Sequence, residues 1–335
     1  MIIDADILAE LCNFYQYSLT EQDYLFFAVR GSLPEAVLHG DFVEATKLKA
    51  YQTIRRTRVN YKTARCTIGL WDVKNSKLAL FPGSTVPSKK YLFTHASSIA
   101  TFNILCPGRY ELRRGVHPRN EHGFQRHEAF LMDGYGLVEI PPVERLTHTV
   151  RFDWSQSVYT VVLAGDNLHA ARTEPRQDQP DLAGSIMLKM NYSSSGCMTI
   201  LGQPKEYVRS NRTYTAWNGW QTFVDLVNEV GADKKNFTFL LFTFSDFENK
   251  NQTSSGSLIR YGSQGPEVVQ IQQKLTSIIR LSTGLPYYTG PINSLFSGHT
   301  AMSYVVFQED YSNGKIAPEI QTCKFLSSTK HFHAS

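Results

Sequence analysis

The feature that most constrains this chain is a series of short strand-forming runs punctuated by turn residues. Cys66-Thr-Ile-Gly-Leu-Trp-Asp72, Lys77-Leu-Ala-Leu-Phe81 and the runs at 109–113, 130–132, 148–154, 158–163 and 237–244 are rich in β-branched and aromatic residues. Asn75-Ser76 and Pro82-Gly-Ser-Thr-Val-Pro87 supply turns and loops between them. A further run, Tyr24-Leu-Phe-Phe-Ala-Val-Arg30, stops at Gly31. Before residue 248, helical spacing is confined to residues 1–17, 35–50 and 217–230, the last with Phe223, Leu226, Val227 and Val230 on one face. The expected class is therefore mixed α/β of the α+β kind.

A chain of 335 residues has room for two domains. The polar stretch Glu248-Asn-Lys-Asn-Gln-Thr-Ser-Ser-Gly-Ser257 has no periodicity and reads as a linker. It divides the chain into an N-terminal helical and strand extension (1–60), a β-rich domain (61–247), the linker (248–257) and a small helical domain (258–330). With 42% hydrophobic and 19% charged residues the chain can build a core and is not a disordered tail.

A net charge of +4 is mild. The basic clusters, Lys47 with Lys49 and Arg55 with Arg56 and Arg58, are short, so they read as a solvated face and no nucleic-acid partner is expected. No apolar run reaches transmembrane length. Cys12, Cys66, Cys106, Cys197 and Cys323 are odd in number and widely spaced, with no CxxC pair. This argues against a disulfide framework or a structural zinc site and for folding under reducing conditions.

Two segments carry chemistry. In the first, Asp166-Asn-Leu-His169 follows the strand at 158–163, and Tyr192-Ser-Ser-Ser-Gly-Cys-Met198 follows later. A cysteine nucleophile needs a base within reach and N–H groups facing the developing oxyanion. A glycine before it lets the backbone bend to present them. These residues resemble the L,D-transpeptidase catalytic family, whose signature is a histidine on or just after a strand and then Ser/Thr-x-Gly-Cys. The order of Thr67–Asp72, Phe81-Pro-Gly-Ser-Thr85, Pro107-Gly-Arg-Tyr110 and a closing strand at 237–244 extends the resemblance over about residues 60–245.

The resemblance implies His169 as general base, Cys197 as nucleophile forming a thioacyl intermediate, Gly196 as the oxyanion turn and Ser194 as the small hydroxyl residue. Ser195 stands where many members have a second histidine. Met198-Thr199 stands where the family often has a hydrophobic residue and then an arginine that helps hold the donor stem. Ser195, Asn167 and His127 are expected to line the substrate cleft. No metal or organic cofactor is required.

His117, His122 and His127 recur every five residues, a spacing that matches neither a helical nor a strand face, so a metal site is not expected. His-Glu-x-x-His, Gly-x-Ser-x-Gly and the phosphate-binding Gly-x-x-x-x-Gly-Lys are absent.

The second segment is the tail. Gly262, Gly265, Val268, Ile271, Gln272 and Leu275 are followed by Phe296, Gly298, Thr300, Val305, Phe307 and Gln308. Pro266 suits a first helical turn, Thr300 is a candidate N-cap, and a third helix is expected over 317–326. The pattern resembles the peptidoglycan-binding domain 1 family, a three-helix module, over about residues 256–328.

Together the two resemblances imply a peptidoglycan-modifying cysteine enzyme of L,D-transpeptidase or L,D-carboxypeptidase type, with muropeptides as substrate. The alternative is a non-catalytic wall-binding or particle-associated docking protein. Asp4, Asp6 and Glu10 interrupt what an export signal would need. The expectation is synthesis in the cytoplasm and delivery to the wall or periplasm by a non-classical route, such as a phage particle or a delivery machine.

Overall fold

The computed structural model describes residues 1–20, 22–89, 103–117, 126–140, 143–146, 149–152, 158–171, 188–189, 191–205, 217–249, 258–311 and 320–321. The secondary structure is mixed α/β with strands dominating. Eight strands close a barrel: β1 (Tyr24–Arg30), β2 (Cys66–Asp72), β3 (Lys77–Ser84), β4 (Gly108–His117), β5 (His127–Leu131), β6 (Leu168–Ala170), β7 (Met198–Ile200) and β8 (Asn236–Thr243). Around the barrel the order is β6-β7-β3-β2-β1-β8-β4-β5, and Leu168 opposite Phe130 joins β6 back to β5. The pairs β6–β7 and β8–β1 are parallel.

The helices are α1 (Ala5–Phe14), α2 (Glu35–Leu38), α3 (Phe42–Ala45), α4 (Gly219–Gly231), α5 (Phe244–Glu248), α6 (Pro266–Ser277) and α7 (Gly298–Tyr311). Among the described residues no helix is long and apolar enough to cross a membrane.

β1 reads as an unbroken apolar run because both its faces are buried. Phe26 and Ala28 turn into the barrel, where they share a core with Phe130, Phe237 and Phe223 of α4. Leu25, Phe27 and Val29 turn outward into a second core with Leu8, Leu11 and Cys12 of α1. β8 alternates in the same way, Phe237, Phe239 and Leu241 inward and Leu240 and Phe242 outward. Phe26 stacks on Phe237 at 4.6 Å and meets Phe130 edge-on at 4.9 Å. Such pairs add roughly 0.5–1.5 kcal/mol each beyond the area they bury. The barrel crosses the expected boundary at residue 60: β1, from the expected extension, lies between β2 and β8.

Three local expectations are corrected. Residues 1–17 begin as a strand, Ile2–Asp4, and Asp4 then caps α1 by accepting from the Ile7 N–H at 2.9 Å. The helix expected over 35–50 is two single turns, α2 and α3. Gly40, at φ +85°, breaks it, and Asp41 recaps the chain by accepting from the Glu44 N–H at 2.9 Å. In the tail, Ile320–Gln321 pairs antiparallel with Leu258–Ile259 where a third helix was expected. Pro318 biases its preceding residue away from helix, and the β-branched Ile320 suits a strand. The rest of 312–335 lies outside the described residues.

Val268, Ile271 and Leu275 of α6 pack against Phe296 and against Ala301, Tyr304 and Phe307 of α7. Pro266 occupies the first turn of α6 as expected. Thr300 does not cap α7, which starts at Gly298; its buried hydroxyl accepts from Gln272 Nε2 at 3.0 Å.

This helical pair is seated on the barrel. Tyr261 stacks on Tyr110 of β4 at 4.9 Å, and its hydroxyl donates to Tyr135 O at 2.7 Å. Arg260 donates to both carboxylate oxygens of Asp246 at 3.0 Å, with both side chains almost fully enclosed. Its guanidinium lies 3.9 Å from the centre of the Tyr15 ring. Of the expected linker, Glu248 and Asn249 complete α5, and 250–257 lie outside the described residues.

Candidate active site

β6 and β7 run parallel with Leu168 opposite Met198 and His169 opposite Thr199. Leu168, Ala170, Met198 and Ile200 fill the barrel interior. The alternation of a strand therefore turns His169 and Thr199 to the outer side of the wall. Asn167 and Cys197 each precede their strand by one residue and share that side by the same parity. Cys197 and His169 thus stand on neighbouring strands, offset by two residues, or ~4.8 Å across and ~6.6 Å along.

The turn that carries Cys197 is closed by Ser194. Its hydroxyl donates to Cys197 O at 2.8 Å and accepts from the Gly196 N–H at 3.1 Å. Of the N–H groups expected around the Gly196 oxyanion turn, that of Gly196 itself is engaged by Ser194. Ser194 O accepts from the Ser88 N–H at 2.8 Å, and Ser195 O accepts from the Asn103 N–H at 3.3 Å, so both carbonyls of the motif are anchored. The Ser195 side chain remains half-buried. Glycine at 196 is required by proximity: a Cβ there would stand 2.7 Å from Asp166 Oδ1 and 2.9 Å from Asn103 O.

Cys197 is partly exposed, unlike Cys12, Cys66 and Cys106, which are buried. Its thiol donates to Gly165 O at 3.8 Å, and among the described residues no hydrogen bond joins it to His169. Packing around the sulfur and repulsion from Asp166 push the thiol up to about 12, while the N–H groups of Asn167 and Cys197 itself pull it down. The partial exposure moderates the burial contribution; the direction is upward.

Three histidines from three neighbouring strands meet on the same side of the wall. His117 and His127 face one another across β4 and β5. The His117 ring stacks on His169 at 4.6 Å with 12° between planes, and His127 meets His169 edge-on at 6.0 Å. The hydrogen bonds assign two tautomers. His169 Nδ1 lies 2.8 Å from Ala170 O, so Nδ1 carries the proton and Nε2 keeps its lone pair. Asn167 Oδ1 accepts from the Met132 N–H at 3.1 Å, which leaves its Nδ2 to donate to His117 Nδ1 at 3.1 Å. Burial drives His169 well below its ordinary range, and His117 and His127 add to the shift. The base candidate is therefore neutral at physiological pH.

Among the described residues no group of three or more His, Cys, Asp or Glu side chains is arranged to hold a metal ion. The imidazoles stack and edge-pack, and His122 lies outside the described residues.

Sequence reasoning missed Asp166, Asn103 and Thr199. Asp166 is buried, and the Asn103 amide, assigned the orientation that turns its nitrogen to the carboxyl, donates to Oδ2 at 2.6 Å. Burial pushes its carboxyl up to about 8, against the pull of Arg30 and of the Asn103 amide. Thr199 is fully buried beside His169, and its hydroxyl has no hydrogen-bond partner among the described residues. An acid next to the quoted Asn-Leu-His was a visible signal for Asp166. Asn103 carries no local signal, because its role comes from a contact across the fold.

No family model, curated protein or solved structure matches this chain. What bears on function is the set of motifs and the geometry they acquire in the barrel wall.

Proposed function

We propose that the chain is a peptidoglycan-modifying cysteine enzyme, attacking stem peptides through a Cys197 thioacyl intermediate. The observation that supports this most is the placement of Cys197 and His169 on one side of adjacent parallel strands, with His169 neutral and its Nε2 lone pair kept by the Nδ1–Ala170 bond. A χ1 rotation takes Sγ from Gly165 O toward His169. His169 Nε2 accepts the thiol proton as the sulfur attacks the carbonyl carbon of the stem peptide. The N–H groups of Cys197 and Asn167, which face the sulfur, meet the oxyanion. The leaving amine takes the proton from His169, and water or an acceptor amine then resolves the thioester, giving carboxypeptidase or transpeptidase action.

On this reading the barrel is the L,D-transpeptidase-like unit, and the tail is a peptidoglycan-binding-like unit that presents the wall to it. Asn167 and His127, expected to bind substrate, act as supports for the histidine group. The test is incubation of the protein and a Cys197→Ala variant with sacculi and defined muropeptides, read by mass spectrometry. Loss of a terminal residue, or new cross-links, should appear with the protein and vanish with the variant. A second reading, a wall-docking protein without catalysis, is favoured by the resting bond from the thiol to Gly165 O. It predicts sacculus co-sedimentation with unchanged muropeptides.

A further inference from the structure

Three consecutive residues of one loop close on the Gly196-Cys197 pair. Gly165 O accepts from the thiol, the Asp166 carboxyl lies against Gly196, and the Asn167 N–H faces the sulfur. Asp166 is the central member of this loop and its one ionisable side chain. It is also clamped from the other side. Asn103 donates its amide to Asp166 and its backbone N–H to Ser195 O, so one residue ties the carboxyl to the nucleophile's turn.

We propose that Asp166 is a positioning residue for Cys197: seated against Gly196 and held by Asn103, its carboxyl fixes the 194–197 turn, and once ionised it opposes formation of the adjacent thiolate. The relevance to catalysis rests on the peptidoglycan reading; the effect on the thiol does not.

The groups facing Asp166 are few. Arg30, at the end of β1, is the cation that acts on it. That guanidinium is fixed by bonds to Thr85 Oγ1 at 3.0 Å, Thr85 O at 3.2 Å and Leu105 O at 2.7 Å. Asn103 is the neutral donor, and Cys197 is the titratable group on which Asp166 in turn acts. A carboxylate beside a thiol keeps the proton on sulfur. Attack therefore becomes easier when the base takes that proton during the reaction than when a free thiolate forms beforehand. The arrangement suits a nucleophile activated only with substrate in place, and where the carboxyl is ionised it slows alkylation and oxidation of the half-exposed thiol.

The experiment is the rate of Cys197 alkylation by iodoacetamide in the full chain, without substrate, from about pH 6 to about pH 11 by peptide mass spectrometry. The Asp166 carboxyl is pushed up to about 8, so it is mostly protonated at the lower end of that range and ionised at the upper end. In Asp166→Asn the rate relative to the unmodified chain should therefore climb across that range, by about tenfold for each unit by which the carboxylate raises the thiol. A merely structural role would loosen the turn and change the rate by a similar factor at every pH. A rate ratio that does not climb with pH overturns the proposal.

Asn103→Ala is the second variant, for use where Asp166→Asn does not fold. It removes the donor that favours the carboxylate, so Asp166 ionises at higher pH; the rate relative to the unmodified chain should rise just above about pH 8 and fall back toward its starting value by about pH 11. A ratio independent of pH there overturns the proposal equally. Because no muropeptide is involved, a negative sacculus assay leaves this result standing. A ratio independent of pH defeats the inference even where sacculi are processed.

Discussion

At the scale of single residues, the site is governed by which groups remain uncharged. Burial and two neighbouring imidazoles hold His169 well below its ordinary 6.5. The unfolded chain takes up that proton near 6.5 and the fold does not, so the stability His169 contributes is complete above pH 6.5 and is lost as pH falls below it. Asp166, with its carboxyl pushed up to about 8, contributes the opposite slope, so the comparison is with His169→Gln: the difference in thermal unfolding between the two proteins should be constant above about pH 6.5 and change toward about pH 5. Equal slopes in the two proteins would show that His169 titrates normally. Asn167 tests the same logic from the other side. An aspartate there still accepts from the Met132 N–H, but its second oxygen draws a proton onto His117 Nδ1. Asn167→Asp should raise the His117 pKa in a histidine NMR titration and push His169 lower still, because the rings stack at 4.6 Å. Gly196→Ala drives a methyl against Asp166 and the Asn103 carbonyl. The expected cost is about 1–3 kcal/mol, seen as a lower denaturation midpoint; an unchanged midpoint would mean that the two segments separate freely.

At the scale of elements, Gln272 shows what a motif residue does once it is folded. It is fully buried in α6. Its Nε2 shares two N–H groups among Leu295 O, Asn293 Oδ1 and Thr300 Oγ1, each within 3.1 Å, and its Oε1 accepts from the Asn293 N–H at 2.8 Å. One side chain joins α6, the loop before α7, and α7 itself. Gln272→Leu keeps the volume and strands those partners, so urea unfolding should show a loss of roughly 2–4 kcal/mol. The sequence pattern marked Gln272 without giving its partners, which lie more than twenty residues away. The same limit explains what else was legible. Tyr24–Arg30, Cys66–Asp72 and Val158–Leu163 are strands with the expected bounds, because local composition decides them. Residues 35–50 were read as one helix because their spacing is helical, but Asp41 and Gly40 act as a local stop. Cys197 and His169 were legible as residue types in a motif. That their strands are adjacent and parallel was not, since register is set by the interior packing of Leu168, Ala170, Met198 and Ile200.

At the scale of the whole molecule, the tail does not hang from the barrel by its linker alone. The joint is the Arg260–Asp246 pair, enclosed between Tyr15, just after α1, and the end of β8, with Tyr15 also donating to Asp246 Oδ1 at 2.9 Å. Beside it, Val305 of α7 packs with Cys106 and Leu137, and Tyr261 covers Tyr110. A module on a flexible tether is free to reorient; this one has its orientation set by contacts to the barrel. Arg260→Met leaves the Asp246 carboxylate buried without its guanidinium, and breaking such a pair costs about 3–5 kcal/mol. If the two parts form one cooperative unit, the loss appears as a single unfolding transition at lower temperature, and Asp246→Asn in the same chain recovers part of it by removing the stranded charge. If they fold independently, Arg260→Met splits calorimetric unfolding into two transitions, with the barrel transition unmoved. The buried pair and the shared aromatic stack favour the first result, and with it a tail that moves with the barrel as one body.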